Sequence, residues 1–223
     1  MNKAVEVIVG RLTADAAAVR DAAALLSVAE QLRASRFAFE RDRRRFIMAR
    51  ARLRRLLGAR LGVRPEAVEF AYGRCAKPAL SPRFAGSELH FNLSHCDDVA
   101  VYALSWGAEV GIDVEAIRLH ADADTLASRF FSPAEIASYR ALDARERPPA
   151  FVNCWTRKEA FVKALGDGLS MPLQDFDVTL APTEPATIVR VGDKAGADSG
   201  WSLASFSPAP GHVAAVVSQT VTD

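Results

Sequence analysis

Residues 99–115 read Val-Ala-Val-Tyr-Ala-Leu-Ser-Trp-Gly-Ala-Glu-Val-Gly-Ile-Asp-Val-Glu. Val99–Ser105 has the β-branched and aromatic content of a strand, and Val110–Glu115 has it again. The four residues between them, Trp106–Glu109, mark the point where the order of elements starts over. Working back toward the N-terminus, residues 3–12 predict a strand, 14–34 a helix and Phe37–Leu61 a second helix. Phe46, Leu53, Leu57 and Leu61 form the apolar stripe of that helix, and Gly62 and Pro65 close it. Short strands are predicted at Val68–Tyr72 and Leu89–Ser94.

Working forward from Glu115, helices are predicted at 122–130 and 133–146, the second entered through Ser132-Pro133. A third helix, 149–165, is stopped by Gly166 and Gly168. Strands follow at 176–180, 186–191, 201–206 and 212–218. Each half therefore runs strand, helices, strands. The expectation is an α+β fold of two similar halves, 1–108 and 109–223, related by a pseudo-twofold. A cleft between such halves is where a ligand belongs.

Composition sets the outer limits. The chain has 223 residues, a formal net charge of +1, half its residues hydrophobic and a quarter charged. That is enough apolar surface to exclude bulk disorder. No apolar run approaches the roughly 20 residues that span a bilayer. The N-terminus, with Asp15 after one short apolar stretch, reads as a strand and not a signal peptide. Cys75, Cys96 and Cys154 are odd in number and lack C-x-x-C spacing, so a reducing cytoplasm is expected. Ten arginines crowd between Arg36 and Arg60 against Glu40 and Asp42. They point either to an anionic partner such as phosphate or to a solvated helix face.

Three segments carry chemistry. In Val110–Glu115 the strand alternation puts Asp113 and Glu115 on one face and Ile112 and Val114 on the other. Paired carboxylates of this kind suit Mg²⁺ shared with substrate phosphates, or are two solvated acids at a strand end. In Trp155-Thr-Arg-Lys-Glu-Ala-Phe-Val-Lys163, Glu159 lies on the stripe of Phe151, Trp155 and Val162, with Lys163 one turn on. Glu159 and Lys163 are either an ordinary i,i+4 ion pair or an inward-facing functional pair. In Phe91-Asn-Leu-Ser-His95, the histidine can bind phosphate, act as a base or satisfy a core hydrogen bond. A zinc site from His95, Cys96 and Asp98 lacks ligand spacing. There is no G-x-S-x-G, no P-loop and no G-x-G-x-x-G.

Taken in order, Phe91-Asn-Leu-Ser-His95, Gly111-Ile-Asp-Val-Glu115, Phe130-Phe-Ser-Pro-Ala-Glu135 and Trp155 to Leu169 resemble the 4′-phosphopantetheinyl transferase superfamily, in its larger, surfactin-synthetase-type branch. The resemblance spans nearly the whole chain. It implies transfer of the phosphopantetheine arm of coenzyme A to a serine of an acyl or peptidyl carrier protein, giving 3′,5′-ADP. It implies Mg²⁺ on Asp113, Glu115 and Glu159, and phosphate contacts from Ser94 and His95. Lys77, in Tyr-Gly-Arg-Cys-Ala-Lys-Pro, resembles the lysine of the family's G-K-P segment, with Ala76 in the glycine's place. Arg45 fits the arginine for the 3′-phosphate, with Arg33 a second candidate. Cys96 stands where a second serine is common. The first half would then hold the coenzyme's phosphates, and the second the metal and the catalytic helix.

The chemistry makes Glu159 the base for the serine proton, directly or through a metal-bound water, and Lys163 the group that offsets charge on the departing nucleotide. Two rivals remain. One is a metal-dependent nucleotide pyrophosphatase using the same carboxylates with water as nucleophile. The other is a nucleic-acid binder using the Arg36–Arg60 helix, which the near-zero net charge opposes. An internal duplication makes a monomer, without membrane or nucleic-acid partners, the natural state.

Overall fold

A computed structural model describes residues 5–73, 77–118, 121–166 and 171–220. The first half runs β1 (Glu6–Arg11), α1 (Ala16–Ala23), α2 (Val28–Ser35), α3 (Glu40–Leu61), β2 (Phe70–Tyr72), β3 (Pro78–Leu80), β4 (Leu89–Cys96) and β5 (Val99–Trp106). The second runs β6 (Val110–Ala116), α4 (Ala123–Phe130), α5 (Pro133–Ala141), α6 (Arg147–Leu165), β7 (Phe176–Val178), β8 (Ile188–Val191), β9 (Lys194–Ala195), β10 (Trp201–Phe206) and β11 (His212–Gln219).

Two antiparallel three-stranded sheets repeat one pairing rule. β1 pairs with β5, which pairs with β4; β6 pairs with β11, which pairs with β10. In both sheets the strand that opens the half lies against the strand that closes it. The penultimate strand takes the other side. The chain is α+β, and its two halves share this topology.

Each sheet is backed by the long helix of its half. Ala49, Leu53 and Leu57 of α3 pack on Phe91, Tyr102 and Leu104. Phe151 and Phe161 of α6 share a core with Phe176, Ala215 and Val217. Between the sheets, Val99, Val101 and Ala103 meet Val110, Ile112 and Val114. Because strand side chains alternate, this apolar contact leaves Gly111, Asp113 and Glu115 facing α6. Gly111 sets how closely the helix approaches. A Cβ there would fall 2.1 Å from the Ala160 carbonyl oxygen and 2.3 Å from the Ala164 nitrogen.

Several boundaries differ from expectation. The helix expected over 14–34 is two helices. Ser27 and Glu30 form a capping box that restarts the chain as α2, the Glu30 carboxylate accepting from the Ser27 N–H at 2.8 Å. The helix expected from Phe37 begins at Glu40, and that expected over 133–146 ends at Ala141. The expected stop at Gly168 lies outside the described residues. No helix among the described residues is long and apolar enough to cross a membrane.

Part of the arginine run is a structural device. Arg54 is buried and gives one edge to Glu30 at 2.7 Å and another nitrogen to the Val68 carbonyl at 2.9 Å. Arg50 lies buried beside it, 3.5 Å from the other Glu30 oxygen. Arg60 pairs with Glu6 on β1, and Arg52 donates to the Val9 carbonyl at 3.1 Å. These arginines tie the helix to β1, to α2 and to the loop after it.

Candidate active site

The carboxylates of β6 meet α6 under the seam between the halves. Asp113 is buried, with 3% of its surface exposed. Its Oδ1 accepts from the Lys163 ammonium at 2.6 Å and from the Ser94 hydroxyl at 2.8 Å. Lys163 in turn reaches Ser94 Oγ at 3.3 Å. A strand of the first half, a strand of the second and the long helix thus converge on one oxygen. Lys163 therefore does not form the ordinary ion pair with Glu159 that one-turn spacing allows. The helix approaches β6 so closely at Gly111 that the ammonium reaches the buried Asp113 instead.

Glu115 and Glu159 are half-buried on the same side. Burial, then repulsion from Asp113, raises the Glu115 pKa above its ordinary value; the Cys96 thiol and Lys163 oppose the rise, and Glu159 adds to it. Burial also raises Glu159, with Lys163 opposing and Asp113 adding. Glu115 thus feels both other carboxylates and Glu159 feels Asp113, as expected of acids that share a space. The second Asp113 oxygen, Oδ2, is buried with no hydrogen-bond partner. A buried anionic oxygen left without a donor is costly, and a hard divalent cation would satisfy it. Three oxygen-only ligands fit Mg²⁺. Their oxygens do not all lie within 4.8 Å of one another; the trio that does among the described residues is Cys96, Asp97 and His212.

The phosphate candidates lie partly at this seam. His95 follows Ser94 on β4 and reaches solvent. Desolvation by its neighbours, then the Arg45 and Lys163 cations, lower its pKa below the ordinary value. Arg45 comes from the first turns of α3 and donates to Asp98 Oδ1 at 2.8 Å, with Asp42 at 3.7 Å and Asp97 at 4.0 Å. It thereby fixes the β4–β5 turn beside His95. Lys77 crosses between the halves, donating to the Lys163 carbonyl at 2.5 Å and lying 3.5 Å from that of Val110. The segment from Arg74 to Ala76, where the glycine of the G-K-P pattern is replaced, lies outside the described residues.

Arg33 stands apart from this group. It is exposed on α2 over the Phe46 ring, and lines a cavity of about 450 Å³ with Glu30, Arg54, Phe70 and Tyr72. None of the other expected site residues lines that cavity.

Two features escaped sequence reading. Asn92 is buried, and its side-chain carbonyl accepts from the Ile112 N–H at 2.9 Å. It bridges β4 to β6 one residue before Asp113. Its place in Phe-Asn-Leu-Ser-His was visible, but its partner was not. Beside Glu115, Leu126, Phe151, Val152 and Trp155 line a cavity of about 200 Å³. Its walls come from β6, α4 and α6, so spacing along one helix could not have outlined it.

Comparison with known proteins bears on this arrangement. Residues 109–217 match the 4′-phosphopantetheinyl transferase superfamily model, and 13–106 match the 4′-phosphopantetheinyl transferase N-terminal model. The chain is 42% identical over 198 residues to the 4′-phosphopantetheinyl transferase HetI of Nostoc sp., covering 89% of this chain and 80% of that one. It is 30% identical over 157 residues to a 4′-phosphopantetheinyl transferase of Bacillus subtilis, covering 70% and 67%. Among solved structures, the Thermotoga maritima holo-[acyl-carrier-protein] synthase aligns at a TM-score of 0.39 and 22% identity, over 51% of this chain and 64% of that one. With one model matching each half and a relative this similar along most of its length, the chain belongs to the 4′-phosphopantetheinyl transferase superfamily.

Proposed function

We propose that this protein transfers the 4′-phosphopantetheine group of coenzyme A to a serine of an acyl or peptidyl carrier protein. The products are the holo-carrier protein and 3′,5′-ADP. The observation that carries the reading is the convergence of Ser94, Asp113 and Lys163 beside two further carboxylates with raised pKa values.

In the proposed reaction the serine oxygen forms a bond to the phosphorus that bears the pantetheine arm. The bond from that phosphorus to the bridging pyrophosphate oxygen breaks, and 3′,5′-ADP leaves with the electron pair. Glu159 accepts the serine proton, directly or through a metal-bound water. Lys163 offsets negative charge on the departing phosphate. Mg²⁺ held by Asp113, Glu115 and Glu159 would supply charge neutralisation on the pyrophosphate. Ser94 and His95 contact the coenzyme's phosphates. Arg45 and Lys77 are assigned to the 3′-phosphate, with Arg33 the second candidate. The apolar cavity beside Glu115 suits the pantetheine arm.

The proposal includes division of labour between the halves, residues 1–108 holding phosphates and 109–223 the metal and α6. It also includes a monomer acting in a reducing cytoplasm, where Cys96 and Cys154 stay free thiols. The test is release of 3′,5′-ADP from coenzyme A with Mg²⁺, with and without an apo-carrier protein. Release that depends on the carrier supports transfer. Equal release without it supports the pyrophosphatase reading.

A further inference from the structure

We propose that Cys96, Asp97 and His212 form a second metal site, selective for Zn²⁺, that spans the two halves. Cys96 ends β4, Asp97 follows it in the turn to β5, and His212 opens β11, 115 positions beyond Asp97. Their ligand atoms all lie within 4.8 Å of one another. His212 Nε2 stands 3.8 Å from Asp97 Oδ2.

The imidazole is already arranged as a ligand. Its Nδ1 lies 3.1 Å from the Pro210 carbonyl oxygen, which can only accept, so Nδ1 carries the proton. Nε2 then presents a lone pair inward, and this atom is buried with no hydrogen-bond partner. A ring N–H given to a backbone carbonyl, with the other nitrogen left bare, is the usual setting of a metal-bound histidine. The chelating groups come from both halves, so no local spacing in the sequence announces them.

The donor set decides the metal. Thiolate, imidazole and a single carboxylate suit Zn²⁺ and its spectroscopic substitute Co²⁺, whereas Mg²⁺ takes oxygen ligands. Tetrahedral Zn²⁺ with these ligands needs donor atoms about 3.5 Å apart, so side-chain shifts of about 1 Å close the site. On uptake the Cys96 S–H bond gives way to an S–Zn bond and the proton goes to solvent. Arg118, which pairs with Asp97 in the metal-free protein, must share that carboxylate or yield it. The bound ion would join the β4–β5 turn to the start of β11.

The experiment is a Co²⁺ titration of the full-length, metal-stripped protein in excess Mg²⁺, which keeps the carboxylate site occupied. The expected result is a sulfur-to-cobalt charge-transfer band that saturates at one equivalent and is bleached by Zn²⁺. Cys96→Ser should abolish the band, and His212→Gln and Asp97→Asn should weaken binding at least about 10-fold. Zn²⁺ should raise the melting temperature of the unaltered protein and not that of Cys96→Ser. Circular dichroism of each variant shows whether it is folded, and Cys96→Ser, a near-isosteric change, carries the test if His212→Gln is not. Absence of the band in the unaltered protein, or its persistence in folded Cys96→Ser, overturns the proposal. Carrier-protein transfer is a separate measurement and can succeed or fail independently.

Discussion

The Lys163 ammonium lies 2.6 Å from Asp113 Oδ1, across the gap between α6 and β6, and not on Glu159 one turn behind it. The buried carboxylate is thus neutralised by a lysine of α6. Lys163→Ala should leave Asp113 buried without its cation, and cost about 1–3 kcal/mol of stability. Added Mg²⁺ should recover part of that loss, because it satisfies the same carboxylate. Thermal melts with and without Mg²⁺ read both effects. A double-mutant cycle should find stronger coupling of Lys163 to Asp113 than to Glu159. An unchanged melt for Lys163→Ala would show that the contact is idle.

Glu159→Gln keeps the size and hydrogen bonding of the side chain while removing its charge and basicity. Turnover should fall at least about 100-fold. Because the side chain is half-buried and its raised pKa reflects burial and Asp113, the neutral amide should be tolerated by the fold. Single-turnover rates across a Mg²⁺ series, with circular dichroism as a control, separate loss of the base from loss of the metal. Near-normal turnover would leave Glu159 a structural residue.

Gly111→Ala tests how the carboxylates are positioned. The new Cβ would meet backbone atoms of α6 that cannot rotate away. The helix must lift from β6 or the strand must bend, which should cost about 3 kcal/mol or more. Transfer activity should fall with stability, since Lys163 and Glu159 ride on the displaced helix. Equilibrium unfolding in urea measures the first effect. A variant as stable as its parent would mean that α6 does not rest on β6 as described.

Away from the site, Arg190 grips Asp177 with two nitrogens at 2.7 and 3.1 Å. Burial alone would raise the Asp177 pKa, but the Arg190 hydrogen bonds, aided by Ser132, lower it below the ordinary 3.8. An acid with a lowered folded pKa contributes stability that is present above its unfolded pKa. That contribution is lost as pH falls through the folded value. Arg190→Ala should therefore cost about 1 kcal/mol or less at pH 7, the arginine being partly exposed. The difference from the parent should shrink as pH falls below about 4. Melts from pH 7 to pH 3 check the sign; a difference that grows in acid would contradict it.

The residue types of the site were legible where local periodicity decided them. Alternation alone set Asp113 and Glu115 opposite Ile112 and Val114, and helical spacing set Glu159 and Lys163 on one face. The two-half order was legible from the restart after Trp106. What pattern could not supply was partner choice across the seam. Lys163 takes Asp113 because Gly111 lets the helix settle, and Asn92 holds Ile112 through a contact 20 residues away in sequence. The capping box at Ser27 and Glu30 splits a stretch whose alanine-rich composition reads as one helix. The arginines of α3 were ambiguous because charge signals either a ligand or a solvated face. Burial against Glu30 and backbone carbonyls is a third use that composition does not reveal.

The central claim is group transfer to a protein serine, and intact-mass measurement of an apo-carrier protein tests it most directly. Incubated with this protein, coenzyme A and Mg²⁺, the carrier should gain the mass of one phosphopantetheine, with an equal amount of 3′,5′-ADP released. Replacing the acceptor serine by alanine, or adding excess chelator, should prevent the gain. If a panel of acyl and peptidyl carrier proteins remains unmodified while coenzyme A is cleaved, the account is contradicted, and water is the acceptor.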